Sequence, residues 1–300
     1  GARPVAGAGS TKSGSRVIVG IDVGGTFTDI VLVDEATGRQ VVHKLRSTPD
    51  DPSRAVLQGL LEVGADLPEL RRLVHGTTVA TNTIIERRGA VTGFLTTEGH
   101  RDTPQIRRGN KPESEVFNLR WSEPEQLVPR FRRADVAGRL DAYGQEVQPL
   151  ELDEVVAASD HLIAQGVESL AISFLFSYLD PVHERAAAEA VRARHPQLWL
   201  SLSSDVLPQW REYERASTTI ADAYVKPVLA RYLGRLVETL SAQGFVGEPL
   251  IMRSNGGVMT AATAQARPIE TFLSGPAGGV VAAQAYGERI GRPNLISMDV

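Results

Sequence analysis

Val17-Ile-Val-Gly-Ile21, Asp22-Val-Gly-Gly-Thr-Phe-Thr-Asp29 and Ile30-Val-Leu-Val33 follow one another without a break. Two apolar runs flank a short glycine-containing stretch, which reads as strand, glycine turn, strand. The adjacent Gly24 and Gly25 are expected to let the backbone approach a ligand and to take positive φ. Successive N–H groups in such a turn form an anion-binding nest. Thr26 and Thr28 add hydroxyls, and Asp22 and Asp29 suit a metal ion or its bridging water. A nucleoside triphosphate with Mg²⁺ or Mn²⁺ fits that set. A tight hairpin with no ligand is the simpler alternative, but a hairpin needs neither the threonines nor the flanking aspartates.

Two other phosphate loops are excluded. A Walker loop places a lysine after its glycines, and none follows here. A dinucleotide fingerprint opens a helix, whereas a strand follows these glycines. The pattern resembles the first phosphate loop of the sugar-kinase, Hsp70 and actin superfamily. The end of the chain, Asn294-Leu-Ile-Ser-Met-Asp299-Val300, repeats the lead-in of apolar residues followed by Asp-Val. It is expected to be a strand entering a second phosphate loop, with Asp299 matching Asp22.

Three hundred residues with 42% hydrophobic content suit two domains or one and a half. The net charge of −4 gives no case for nucleic acid. There is no cysteine, which excludes disulfides, thiolate metal sites and a cysteine nucleophile, and suits the cytoplasm. No apolar run approaches the roughly 20 residues of a membrane helix. Residues 1–15 are rich in Gly, Ala and Ser and read as a disordered leader or tag remnant.

Along the chain, a third strand is expected at Gln40–Leu45, with His43 on its surface, and a helix from Asp51-Pro52 to about Val63. Arg72–His75 reads as a strand, and Gly76-Thr-Thr-Val-Ala-Thr-Asn82 turns it into a helix ending near Gly89. Ala90–Thr96 then returns as a strand, a βαβ unit that favours a parallel pair. Thr77, Thr78, Thr81 and Asn82 crowd that helix start, where an anion would be favoured. N-capping by one threonine is the alternative. The long charged stretch 98–125 contains Arg107, Arg108, Asn110 and Lys111, either a clamp for carboxylate or phosphate or a solvated loop.

Further on, a hairpin is expected over Phe131–Leu150 with its turn at Tyr143-Gly144, then a helix over 153–165 and a strand over Ser169–Phe176. Asp180-Pro-Val-His-Glu184 opens the next helix, with Glu184 as its dipole-complementing acid and His183 structural. Leu198–Leu202 is the next strand. A lobe boundary is placed at 205–215, followed by helix over 214–243 interrupted at Lys226-Pro227. Leu250–Gly257 reads as strand and glycine turn, and Glu270–Gly279 as strand, glycine turn and helix start. Open α/β sheets bind ligands at such strand ends.

Asp22–Asp29, His75–Asn82, Tyr213-Glu-Arg-Ala-Ser-Thr-Thr219, Ser254-Asn-Gly-Gly257 and Ser274-Gly-Pro-Ala-Gly-Gly279 together resemble the hydantoinase A / 5-oxoprolinase family, from about residue 16 onward. The resemblance implies an α/β, two-lobed actin-like ATPase (ASKHA) fold with mixed sheets flanked by helices. Residues 16–205 would form the N-terminal lobe, and 206–300 the start of a second lobe that stops at its own phosphate loop. It implies ATP and Mg²⁺, a hydantoinase B-type partner subunit in a hetero-oligomer, and a cyclic amide or ketone as substrate.

In the amide branch, ATP phosphorylates the oxygen of a hydantoin, 5-oxoproline or lactam, and water opens the ring. In the ketone branch, ATP makes an enol phosphate that is carboxylated. Carried over by residue, Asp22, Asp299 and Thr78 would act at the reaction. Gly24, Gly25, Thr26 and Thr28 would hold phosphate, with Ser254, Asn255, Gly256, Gly257, Gly275, Ala277, Gly278 and Gly279 along the nucleotide cleft. His75, Thr77 and Asn82 would face the substrate, as would Arg107, Arg108 and Asn110. Two readings stand outside these branches: a small-molecule kinase, and a module in which ATP gates partner binding.

Overall fold

The computed structural model describes residues 17–48, 50–109, 111–292 and 294–298. The expectations for residues 1–15, Asn110 and Asp299 lie outside the described residues. The chain is α/β, with mixed and parallel sheets flanked by helices, as the sequence predicts.

The first three strands, β1 (Val17–Val23), β2 (Phe27–Asp34) and β3 (Gln40–Arg46), form an antiparallel meander. α1 (Pro52–Glu62) is capped by Asp51, whose side chain accepts from Ser53 N. β4 (Leu70–Thr77) then lies parallel to β1. It leads through Thr78 into α2 (Val79–Ile85), and the chain continues to β5 (Thr92–Thr97). The expected parallel pairing of the strands flanking α2 does not form. Both edges of β4 are taken, one by β1 and the other by a strand from far down the chain, so β5 starts a separate sheet.

That second sheet takes β6 (Arg133–Val136), β9 (Ser169–Ser173) and β10 (Trp199–Leu202), and all its pairings are parallel. The order is β10-β9-β5-β6. Between β5 and β6 the chain makes only a short helix, α3 (Thr103–Ile106), and a 3₁₀ turn at Glu113–Glu115. After β6, a small hairpin of β7 (Arg139–Leu140) and β8 (Glu146–Gln148) carries the turn expected at Tyr143-Gly144. α4 (Leu152–Ala164) and α5 (Val182–Arg194) pack on the second sheet. Glu184 lies in the first turn of α5 as expected, but it faces the core. It is fully buried and accepts from Phe174 N, Ser203 Oγ and Ser204 N.

A short helix α6 (Ser203–Val206) leads to α7 (Glu212–Ala242), which joins the two sheets. Its first half, including Ala216, Ile220 and Ala223, packs with Phe94 and Ala171 of the second sheet. Its second half, including Leu229, Leu233 and Leu236, packs with Val19, Ile21 and Leu73 of the first. α7 runs through Pro227 without interruption, contrary to expectation. Proline removes one helix hydrogen bond, but tertiary contacts fix this turn from outside. Asp222 and Lys226 are buried and paired at 3.0 Å, Lys226 donates to Leu200 O, and Asp222 accepts from Ser201 Oγ and Ile269 N.

β11 (Leu250–Met252) and β12 (Val258–Thr260) then return to the first sheet, whose order is β12-β11-β4-β1-β2-β3. The expected lobe boundary at 205–215 therefore does not separate the sheets: residues 250–260 complete the sheet that begins at residue 17. α8 (Ala261–Ala266) is followed by a 3₁₀ turn at Pro268–Thr271, not the predicted strand. α9 (Ser274–Arg289) closes the described fold. Residues 294–298 have no strand pairing, so the strand expected from Asn294 is not present among the described residues.

Candidate functional site

β1, β4 and β11 run parallel, so Gly24–Thr26, Thr78–Asn82 and Arg253–Gly257 all leave the same carboxyl edge of the first sheet. Segments that are far apart in sequence meet there because strands pair in register. Ligands bind at this edge in open α/β sheets.

The glycine turn joins β1 to β2, and Gly24 N donates to Phe27 O at 3.0 Å. Neither Gly24 nor Gly25 has a φ in the left-handed region, which corrects that expectation. Space constrains Gly24 more than Gly25. A Cβ on Gly24 would sit 3.1 Å from Phe27 O, and one on Gly25 would sit 3.6 Å from Asn82 Nδ2. Thr26 is exposed at the tip. Thr28 is fully buried, not aimed at a ligand, and its hydroxyl lies 3.0 Å from Ser47 Oγ.

Ser47 was not singled out from sequence, yet it clamps the loop. Its Oγ donates to Gly24 O at 2.7 Å and its N–H to Thr26 O at 2.9 Å. Only the β2–β3 register, with Phe27 opposite Arg46, places Ser47 beside the turn.

Asp22 and Asp29 face each other across β1 and β2. Lys44 Nζ holds both Asp29 oxygens at 2.9 Å. Asp22 is exposed and stands over Gly76 of β4. Among the described residues there is no group of three or more acidic or histidine side chains able to hold a metal. One carboxylate beside a phosphate loop still fits Mg²⁺, which is held by one or two carboxylates with waters and substrate phosphates.

On the α2 side, Thr78 Oγ1 donates to Val23 O at 3.2 Å, and Asn82 Nδ2 donates to Thr78 Oγ1 at 3.1 Å. These bonds fasten α2 to the end of β1 and set the Asn82 amide over Gly25. Thr77 is buried and accepts from Val79 N, while Thr78, at the N-cap of α2, makes no side-chain cap bond. His75 is also fully buried. Its Nε2 lies 2.7 Å from the Tyr232 hydroxyl, and burial pushes its pKa down to about 4. It belongs to the core beneath the site, and burial likewise pushes the Tyr232 phenol up.

α9 brings its N-terminus to the end of β4, where Ser274 Oγ donates to Thr77 O and Leu273 N to Thr81 Oγ1, both at 3.3 Å. Gly275, Ala277, Gly278 and Gly279 lie within this helix rather than in a turn; Leu273, at φ 55°, makes the turn. The start of α9 has no side-chain cap, and because Pro276 has no N–H, Ser274 and Gly275 are the residues whose N–H groups remain available to an anion. Ser254 and Asn255 shape the β11–β12 turn: Ser254 N donates to Glu270 O, and Gly257 N to Asn255 Oδ1. Gly256, at φ 81°, meets Val281 of α9.

An open cavity of about 390 Å³ adjoins the glycine turn, lined by Gly24, Gly25, Thr78, Asn82, Tyr232 and Arg235, among others. Arg107 and Arg108 are not among its lining residues. They border a different cavity, and Arg108 is paired with Glu214.

A clamped glycine turn, an aspartate beside it and a helix N-terminus meet at one sheet edge of an α/β fold of the actin-like ATPase class. The hydantoinase/oxoprolinase N-terminal region matches residues 18–195, and the hydantoinase/oxoprolinase model matches residues 215–300. The chain belongs to the hydantoinase/oxoprolinase family. Caprolactamase subunit alpha of Pseudomonas jessenii is 35% identical over 290 residues, which cover 94% of this chain and 42% of that protein. The crystal structure of ATP-dependent caprolactamase from Pseudomonas jessenii superposes with a TM-score of 0.83 at 34% identity, covering 91% of this chain and 41% of that one. Nucleotide-free acetone carboxylase gives 0.80 at 30% identity, over 92% and 41%. The chain thus spans about two fifths of the length of these relatives.

Proposed function

We propose that this chain is the ATP-binding part of a subunit that phosphorylates the oxygen of a cyclic amide. The supporting observation is the convergence of the Gly24–Thr26 turn, Asp22 and the start of α9 at one sheet edge. When bound, Mg²⁺ would neutralise the phosphates, and Asp22 would hold it. Thr26 and the backbone N–H groups of the turn would orient the phosphates, and Ser47 would keep the turn rigid. Phosphoryl transfer depends mainly on positioning and charge neutralisation, so the lack of a nucleophile–base pair at this edge suits the reading. The adjoining cavity, with Thr78 and Asn82 on its wall, would receive the acceptor. After transfer of the γ-phosphoryl to the amide oxygen, water adds to the activated carbon, the C–N bond breaks as the nitrogen takes a proton, and a second water cleaves the resulting acyl phosphate to carboxylate and phosphate. Asp299 would belong to the opposing phosphate loop. The relative named a subunit supports a hetero-oligomer, for which a B-type subunit is the proposed partner.

ATP-dependent ketone carboxylation is the second reading, favoured by the match to acetone carboxylase. Both reactions phosphorylate a carbonyl or enolate oxygen, so one phosphate site serves either. The test is ATP consumption by the full-length protein with its partner subunit. The panel is hydantoin, 5-oxoproline, caprolactam, acetone and acetophenone, with and without bicarbonate. Stimulation by a cyclic amide, lost in Asp22→Ala, is expected. Stimulation by a ketone only with bicarbonate would move the protein to the carboxylase reading. Full ATP turnover in Asp22→Ala would overturn both.

A further inference from the structure

The second sheet has a ligand crevice of its own. From β5 the chain first adds β6 on one side, then β9 and β10 on the other. The strand order therefore reverses at β5, and the space outside the carboxyl ends of β5 and β9 is a topological switch point. An open cavity of about 610 Å³ lies there. It is bordered by His100 to Arg108 after β5, by Leu175 and Phe176 after β9, and by the start of α7. It shares no lining residue with the phosphate-loop cavity.

Three features set this cavity apart. Arg107, Phe176 and Arg211 all have left-handed backbones, at φ 56°, 58° and 82°, although none is glycine. Such strain persists where the surroundings impose it, and it concentrates at functional sites. Next, Arg107, Arg139 and Arg211 border the cavity without a close ion pair among the described residues; Arg211 lies over the Trp210 ring, and of the two acids on the wall, Glu212 and Glu214, the latter is paired with Arg108 and also feels the charge of Arg211. Lastly, a separate inner cavity of about 10 Å³, room for one water at most, is lined by His100, Glu212 and Arg215. Arg215 is 1% exposed; it donates to Gln209 O and Phe174 O, while its Nε has no hydrogen-bond partner. An unpaired buried donor next to a cavity is a place for an acceptor. The walls also carry apolar surface from Ile106, Phe176 and Trp210.

We propose that this cavity binds a small carboxylate with an apolar body. The unpaired guanidinium groups take the carboxylate, for which their planar donor fork is suited, and the aromatic wall takes the body. This site is independent of the ATP reading, and either can fail without the other.

The test is isothermal titration calorimetry of the protein with benzoate and hexanoate, against benzamide, hexanamide and inorganic phosphate. Saturable binding of a carboxylate is expected, with its amide about tenfold weaker or more. Arg107→Gly and Arg211→Gly should each weaken carboxylate binding by about tenfold. Glycine adopts both backbones without strain, so their melting temperatures serve as the folding control and should not fall. Arg139→Met, on an exposed strand residue, gives a third variant with the same expected loss. Binding of neither carboxylate, equal binding of the amides, tighter binding of phosphate, or parental affinity in all three variants would overturn the proposal.

Discussion

The Asp22 carboxylate stands directly over the α-carbon of Gly76 on the neighbouring parallel strand: a Cβ built there would lie 3.0 Å from Asp22 Oδ1. Glycine at position 76 thus leaves room for the Asp22 side chain beside the glycine turn. Gly76→Ala should push that carboxylate out of place. The expected loss of ATP turnover is about 10- to 100-fold, the scale seen when a metal ligand is misoriented. Melting temperature should change little. Unchanged turnover in Gly76→Ala, measured beside Asp22→Asn, would remove Asp22 from the reaction.

Gly89 allows the chain to pass from the first sheet to the second. Its Cβ would lie 2.2 to 2.5 Å from the Tyr224 ring of α7. Ala90 N also donates to Tyr224 O at 2.9 Å, so the backbone cannot easily retreat. Gly89→Ala should cost about 1–3 kcal/mol through overpacking. Chemical denaturation measures it, and Tyr224→Leu in the same chain should recover part of the loss.

Glu184 accepts from two backbone N–H groups and one hydroxyl in the core of the second sheet. Glu184→Gln would turn an amide NH₂ toward one of those donors. A buried donor left unpaired costs about 1–3 kcal/mol. The variant should therefore unfold at lower denaturant with an unchanged m-value, whereas an unaltered midpoint would show the carboxylate to be dispensable.

His75 gives stability a pH dependence of known sign. Its folded pKa is lowered from 6.5 to about 4 by burial. Between those values the unfolded chain binds a proton that the folded chain does not. Stability is therefore fully present above about pH 6.5 and falls as pH drops toward 4, by up to about 3 kcal/mol. Denaturation at pH 7, 5.5 and 4.5 should show this slope. His75→Gln should be less stable at pH 7 but shallower in pH dependence, and an equal slope in both proteins would reject the assignment.

The strand–turn–strand start, the opening of α1 at Asp51-Pro52 and the alternation of helix and strand were legible because each is written in local residue order. The same holds for the family motifs. The phosphate turn itself was legible, but its clamp was not: Ser47 reaches Gly24 only through the β2–β3 register. His75 and Thr77 looked ligand-facing because they sit in a polar motif. β4, however, lies between β1 and β11 with its edges and this face covered, so polarity gives way to burial.

By itself, the sequence determined most of the elements, their order and the glycine turn between β1 and β2, since caps, periodicity and glycine placement act over a few residues. Tertiary structure decided which strands pair, that residues 250–260 complete the sheet begun at residue 17, and that Arg107 and Arg108 border a second cavity. These outcomes depend on contacts between residues far apart in the chain, and local patterns do not encode which edge or face a distant segment will cover. α7 makes the point: its proline predicts a break, and the packing of both sheets against it keeps the helix whole.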